Sequence, residues 1–214
     1  MHSRTSFWPI QIACDRTARR QIEQADRRLL KGEAIPHDEK VFSVFEEHTR
    51  WISKGKAGLP VELGVPLCIV EDQRQFILDH RIMWKGGDVD VAAPLLESCL
   101  KAYPDIAVCS FDRGFHSPEN QKRLGKLLET AALPKKGRPS AAERRRRHPA
   151  VESAINNLEQ RGLDRVRTRG AAGFERTVGL SILAANLHRI GLIAQRRERE
   201  RLERLRKRGI RLAA

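Results

Sequence analysis

The sequence predicts an α/β fold, a sheet with helices packed on it, and three observations support this. Short runs rich in Val, Ile, Leu and Phe, each of strand length, fill the first half: VELGVPLCIVED (61–72), RQFILDHRIM (74–83) and DIAVCSF (105–111). Segments with helical apolar spacing alternate with these runs. From Ser140 onward the helical pattern takes over. Strands first, with helices interleaved and following, point to a helix-covered sheet. At 214 residues and 40% hydrophobic content, the chain can bury one sizeable core with helical appendages.

Taken in order, residues 9–34 read as a helical segment rich in Arg and Gln that ends near Gly32. KVFSVFEEHTRWISKGKAG follows, part extended and part turn, with Gly55 and Gly58 as breakers. The runs 61–72 and 74–83 read as adjacent strands joined by a turn at Glu71-Asp72-Gln73. Asp88 is placed to cap the helix DVDVAAPLLESCLKAYP, whose Val91, Leu95, Leu96 and Leu100 recur at helical spacing. DIAVCSF is short enough to be a buried parallel strand. Ser117-Pro118-Glu119 signals the start of a helix over 118–130, and AALPKK (131–136) reads as a fourth strand cut short by Pro134. One further helix runs from Ala141 or Pro149 to Gln160 and stops at Gly162. The last runs from Phe174 through Val178, Ile182, Leu183, Leu187 and Ile190 into a charged tail. The expected organisation is a helical segment over 1–39, a main domain over 40–195 and a basic helical tail over 196–214.

A net charge of +14, with arginines concentrated at 144–147 and 196–208, makes nucleic acid the expected partner. The tail's mixed Arg and Glu also suit a solvated helix. No apolar run is expected to span a membrane, and the N-terminal stretch lacks a signal peptide's apolar region. Cys14, Cys68, Cys99 and Cys109 are scattered, with no C-x-x-C pair. Three of them sit in apolar segments, which suits buried thiols in a reducing cytoplasm and no zinc site. The histidines show no H-E-x-x-H spacing, and G-x-S-x-G, phosphate-loop and dinucleotide fingerprints do not occur.

Two acids stand out. Asp112 ends the apolar run DIAVCSF, where a strand's carboxyl end presents it. Glu152 lies at the edge of a stripe formed by Val151, Ile155 and Leu158 on the helix after RRRRHP. Converging carboxylates repel, and a divalent cation relieves that repulsion, which is the arrangement that metal-dependent phosphoryl transfer needs. The plainer alternative is that Asp112 starts a turn and Glu152 pairs with an arginine on the surface.

Five blocks, HDEKVFSVFEEHTRWISKGKAGLPVELG, EDQRQFILDHRIM, CSFDRGFHSPENQ, LPKKG and RRRHPAVESAINNLEQRGLDR, resemble in order the C-terminal part of a DDE-type insertion-sequence transposase, ISNCY-like group. They cover roughly residues 20–195. The resemblance implies an RNase H-like mixed sheet flanked by helices, here without its first strand. It implies that Asp112 and Glu152 are catalytic and metal-binding, as the second and third acids holding Mg²⁺ or Mn²⁺. Lys135, Lys136, Arg145, Arg147 and His148 would contact DNA. In related elements the glutamate helix carries Tyr, Arg and Lys at set offsets, where this chain has Arg145, His148 and Glu159. The family's first acid, from a short Asp-Thr-Thr-like motif, has no counterpart in MHSRTSFWPIQIACDRTARR. The implied activity is DNA cleavage and strand transfer between transposon ends and target, at the nucleoid, by a truncated and inactive copy. The alternative is a non-catalytic DNA-binding remnant that pairs with itself or with an intact transposase, and neither reading needs a membrane.

Overall fold

The protein is mixed α/β, as seen in a computed structural model that describes residues 8–36, 39–53, 61–135 and 149–207. The chain divides into two compact units: residues 1–66, 82–84 and 168–174, and residues 67–81, 85–167 and 175–214.

In the first unit, helix α1 (Trp8–Leu29) ends where Gly32 adopts φ +70°, a left-handed conformation that glycine enters without steric penalty. From Asp15 onward its contacts with the rest of the unit are polar. Buried Thr17 donates to Glu47, Gln24 accepts from Val41 N at 2.8 Å, and Arg27 bonds both Glu33 and Glu39. Strands β1 (Arg50–Ser53) and β2 (Val61–Gly64) pair antiparallel, Arg50 opposite Gly64. Arg50 also donates to the Met83 carbonyl at 2.8 Å. His48, Trp84 and Phe174 form a ring cluster with centroids 5.1–6.0 Å apart, Trp84 edge-on to the other two, and Glu46 accepts from Gly170 N at 3.0 Å.

The second unit holds the hairpin of β3 (Leu67–Glu71) and β4 (Ile77–Ile82), whose last residue, Ile82, counts with the first unit. The Asp72 carboxylate shapes the turn by accepting from Arg74 N and Phe76 N, both at 2.8 Å. Run 61–72 therefore contains two strands rather than the expected one. It breaks at Val65-Pro66, where proline supplies no ladder donor, and its halves take different partners.

Helix α2 (Asp88–Ala102) supplies the core: Ala92, Ala93 and Leu96 are buried with Leu124 and Leu128. Its cap is Gly87 rather than Asp88, because Asp90 reaches back to accept from Gly87 N at 2.8 Å. Strand β5 (Val108–Ser110) pairs parallel with β6 (Thr130–Ala132), and α3 (Pro118–Leu127), capped by the Ser117 hydroxyl, connects them. The parallel pairing agrees with expectation but the burial does not. Val108 is 62% exposed, because core side chains cover only one face of the pair.

Helix α4 (Pro149–Leu158) unwinds into a wide turn at Glu159–Leu163, with Gly162 at φ +100°. Among its described side chains Ala154 and Leu158, four residues apart, are buried, while Ile155, expected to pack, is 46% exposed. Helix α5 (Gly170–Lys207) follows. Asn186 on α5 accepts from Ile77 N at 2.9 Å and donates to Ile77 O at 3.0 Å, filling the place of a neighbouring strand's peptide on the edge of β4. By length and composition α5 is apolar enough to cross a membrane, contrary to the sequence expectation, since its charges concentrate from Arg196 onward. In that charged end Arg196 and Arg204 pair with Glu200, and Arg201 with Glu198.

Within this unit the hairpin and the parallel pair remain separate. Among the described residues, each of β3 and β5 has a single hydrogen-bonded neighbour, β4 and β6 respectively.

Candidate functional site

Asp112 lies two residues past the end of β5, where the chain leaves the parallel pair and makes one 3₁₀ turn over Arg113–Phe115. Asp112 is extended (φ −73°, ψ 163°), and its exposed carboxylate accepts from Arg113 N at 2.7 Å through Oδ1. That bond uses only part of the acceptor capacity of an ionised carboxylate.

The turn is held from several sides. Phe111 and Phe115 stack edge-on at 6.3 Å, and both pack on the Ala92–Leu96–Leu124 core. Buried Asn120 donates from Nδ2 to Phe115 O at 2.9 Å and to Val89 O at 2.7 Å, which ties the turn to the start of α2. Asp88, the first residue of α2, packs so closely on Gly114 that a Cβ there would collide with its carboxylate. Asp88 thus sits against the turn that carries Asp112, at a helix N-terminus that favours negative charge. His116 closes the turn, and its Nε2 is buried without a hydrogen-bond partner.

Beneath the turn lie protonated thiols. Burial, with the charge of Asp88 second, pushes the Cys68 thiol up to about 12. Burial pushes Cys109, which packs on the core, up to about 11. Cys99 is fully buried on α2. Cys99 is thus the buried core thiol that the apolar segments suggested, while Cys68 and Cys109 are only partly buried.

Lys135 is exposed three residues past the end of β6. Because β5 and β6 are parallel, with Ser110 opposite Ala132, Lys135 and Asp112 leave the same, carboxyl, end of the pair. That end is where open α/β sheets bind ligands. Glu152 is on α4, and its side chain lies outside the described residues, as do Lys136, Arg145, Arg147 and His148. Among the described residues no group of three His, Cys, Asp or Glu side chains could hold a metal ion. The free acceptors of Asp112 fit one or two positions of a Mg²⁺ shell, which takes only a few carboxylates and keeps water.

Sequence reasoning missed Asp88 and Asn120 as neighbours of this turn. Asp88 carried a signal, an acid after Gly86-Gly87, but was assigned to capping. Asn120 carried none, because its role depends on Val89, 31 residues away.

Compared with protein-family models, curated proteins and solved structures, the chain matches none of them.

Proposed function

We propose that the chain derives from a DDE-type transposase and acts on DNA, with Asp112 and Glu152 as two of the acids that would bind Mg²⁺ or Mn²⁺. The observation that carries this reading is an exposed aspartate, held on a rigid turn at the carboxyl end of a parallel strand pair, in a chain of net charge +14. The element order supports the RNase H-like form of the fold: an antiparallel hairpin, then helix, strand, helix, parallel strand and the helix of Glu152. Among the described residues β3 and β5 each have one open edge, which would suit an RNase H-like sheet without its first strand.

Asp112 would contribute one carboxylate to the ion, Glu152 the second, and Lys135 positive charge toward phosphate. The ion, when bound, would activate the attacking oxygen and stabilise the leaving one. Two carboxylates alone would hold the ion weakly and cleave slowly, because affinity follows the charge and rigidity of the ligands. The test is the melting temperature with and without millimolar Mg²⁺ or Mn²⁺. A rise that both Asp112→Asn and Glu152→Gln abolish is expected; no rise, or one indifferent to both substitutions, overturns the metal site.

A second reading is a DNA-binding remnant without catalysis, favoured by the arginines that α5 carries from Arg196 onward. It expects salt-sensitive DNA binding that survives Asp112→Asn and needs no divalent ion.

A further inference from the structure

In the first unit a cleft of about 440 Å³ opens between α1 and β1, lined by Gln24, Arg28, Lys40, Phe42 and Trp51. Its apolar part is aromatic. The Phe42 and Trp51 rings have centroids 5.7 Å apart and planes tilted by 40°, so they are not stacked flat, and Trp51 keeps 46% of its surface in solvent. Both rings stand on fixed backbone. Trp51 is held in the β1–β2 ladder opposite Leu63. Gln24 accepts from Val41 N at 2.8 Å and donates to Val41 O at 3.5 Å, which pins the segment whose Lys40 and Phe42 line the cleft on either side of Val41. The remaining lining is cationic. Glu33 and Glu39 are both engaged by Arg27, at 2.7 and 3.0 Å, and among the described residues Arg28 and Lys40 have no ion-pair partner. No acid is among the residues that line the cleft.

We propose that this cleft takes one unpaired nucleotide of a DNA strand, its base against Trp51 and Phe42 and its phosphates against Arg28 and Lys40. The inference rests on the reading that the chain acts on DNA, and it adds a contact in the first unit, which holds none of the residues that reading uses. Each part of the cleft answers one part of the ligand. A base presents a flat face that stacks on an aromatic ring whatever its identity, and the phosphodiester on either side of it carries the charge that two free cations attract. A base inside a duplex has both faces covered by its neighbours, so exposed rings recognise only one that has left the stack. The volume is at the small end of ligand sites, enough for one nucleotide and not for a duplex. A free nucleotide shares this chemistry, but a small ligand is held by enclosing most of its surface, whereas the exposure of Trp51 shows a cleft open at the side, as a passing strand requires.

The test is fluorescence anisotropy of the full chain in EDTA, with a labelled strand of about 15 thymidines and a duplex of the same length. EDTA removes any divalent ion, so Asp112 takes no part in the result. The strand is expected to bind more tightly than the duplex. Loss of one stacked base in Trp51→Ala should weaken strand binding about 5- to 150-fold and leave duplex binding within about two-fold, while Trp51→Phe, which keeps a ring, should recover most of the loss. Arg28→Gln with Lys40→Gln removes two phosphate contacts and should lower the slope of log K against log salt for the strand by about 1.4. If Trp51→Ala loses the wild-type circular dichroism, the slope of this cation pair decides instead. Strand and duplex bound alike, or strand binding indifferent to Trp51→Ala and to the cation pair, overturns the site and leaves the DNA reading standing. No salt-sensitive binding of either nucleic acid overturns both. Adenosine monophosphate that displaces the strand at micromolar concentration makes a free nucleotide the ligand and overturns the strand as occupant.

Discussion

Replacing Asn186 with alanine isolates one tether whose strength follows from its geometry. The Asn186 amide accepts from Ile77 N at 2.9 Å and donates to Ile77 O at 3.0 Å, and Ile77 is only 6% exposed. In Asn186→Ala both backbone groups lose their partner at a site that water barely reaches. An unsatisfied buried group costs about 1–3 kcal/mol, and some water enters from the nearby turn, so the expected loss is about 2–4 kcal/mol. With a urea slope of about 1–3 kcal/mol/M, the midpoint should fall by about 1–2 M at unchanged slope. Asn186→Asp sharpens the test. At neutral pH its carboxylate still accepts from Ile77 N but faces Ile77 O with no proton to donate. Repulsion raises its pKa above that of the unfolded chain, so the deficit should shrink as the pH falls through the carboxylate range and the donor is restored. A midpoint shift below about 0.3 M for Asn186→Ala would refute the edge-capping role, since two stranded backbone groups cannot cost so little.

Three further outcomes follow from burial. Both oxygens of Glu71 are buried without partners, and burial first, then the charge of Asp72, raises its pKa while Arg189 opposes. A carboxyl raised in the folded state loses stability as pH climbs from its unfolded pKa through its folded one, so Glu71→Gln should stabilise by about 1 kcal/mol at pH 7 and lose that advantage near pH 3.5, measured by urea denaturation at both values. Leu124→Ala should cost about 2–5 kcal/mol in the same assay, because Leu124 is wholly buried in the α2–α3 core, whereas Val108→Ala, at a 62% exposed strand position, should stay within about 0.5 kcal/mol. The Cys68 and Cys109 thiols, held up to about 12 and about 11, should react slowly with a disulfide reagent at pH 8 and rapidly once the chain is unfolded; stability should fall as pH rises from the ordinary thiol range toward 11.

The sequence announced elements whose signals are local. Gly32 and Gly162 stop helices because both adopt positive φ, and Ser117-Pro118 starts one through a side-chain cap. The hairpin turn at Asp72 was legible because its carboxylate bonds its own following backbone. What escaped depends on partners distant in the chain. The division of 61–72 at Pro66 shows only when each half's partner strand is known, and Asn186 meets Ile77 across 109 residues. Ile155 was assigned to a packed stripe by spacing, but spacing marks an apolar side without saying which residue on it meets the core. At the site, the strand-end position of Asp112 could be read, since an apolar run stopping on an acid is a one-dimensional pattern. The closeness of Asp88 and the brace from Asn120 could not, because α2 and the turn meet only in three dimensions.

The two strand pairs of the second unit are stabilised differently, and the difference bears on Asp112. A lone two-stranded pair is marginal in water, so each must draw its order from helices. The hairpin draws it from α2, against which β3 lies, and from side-chain bonds at its edge through Asn186 and Arg189. The parallel pair draws it from packing: Cys109, Phe111 and Ala131 lie against Leu96, Leu124 and Leu128, and Asn120 fixes the turn that follows. Asp112 therefore stands on backbone flanked by the partly buried, core-packed Phe111 and Phe115, while its own carboxylate remains in solvent. A surface acid that merely opens a turn needs the turn and nothing more. A ligand-binding acid needs a fixed backbone beneath an accessible carboxylate, because coordination loses strength with every degree of freedom frozen on binding. Asn120→Ala separates the two roles. It should loosen the turn and weaken any Mg²⁺-dependent rise in melting temperature while Asp112 is untouched, whereas a turn-opening acid would show no such coupling.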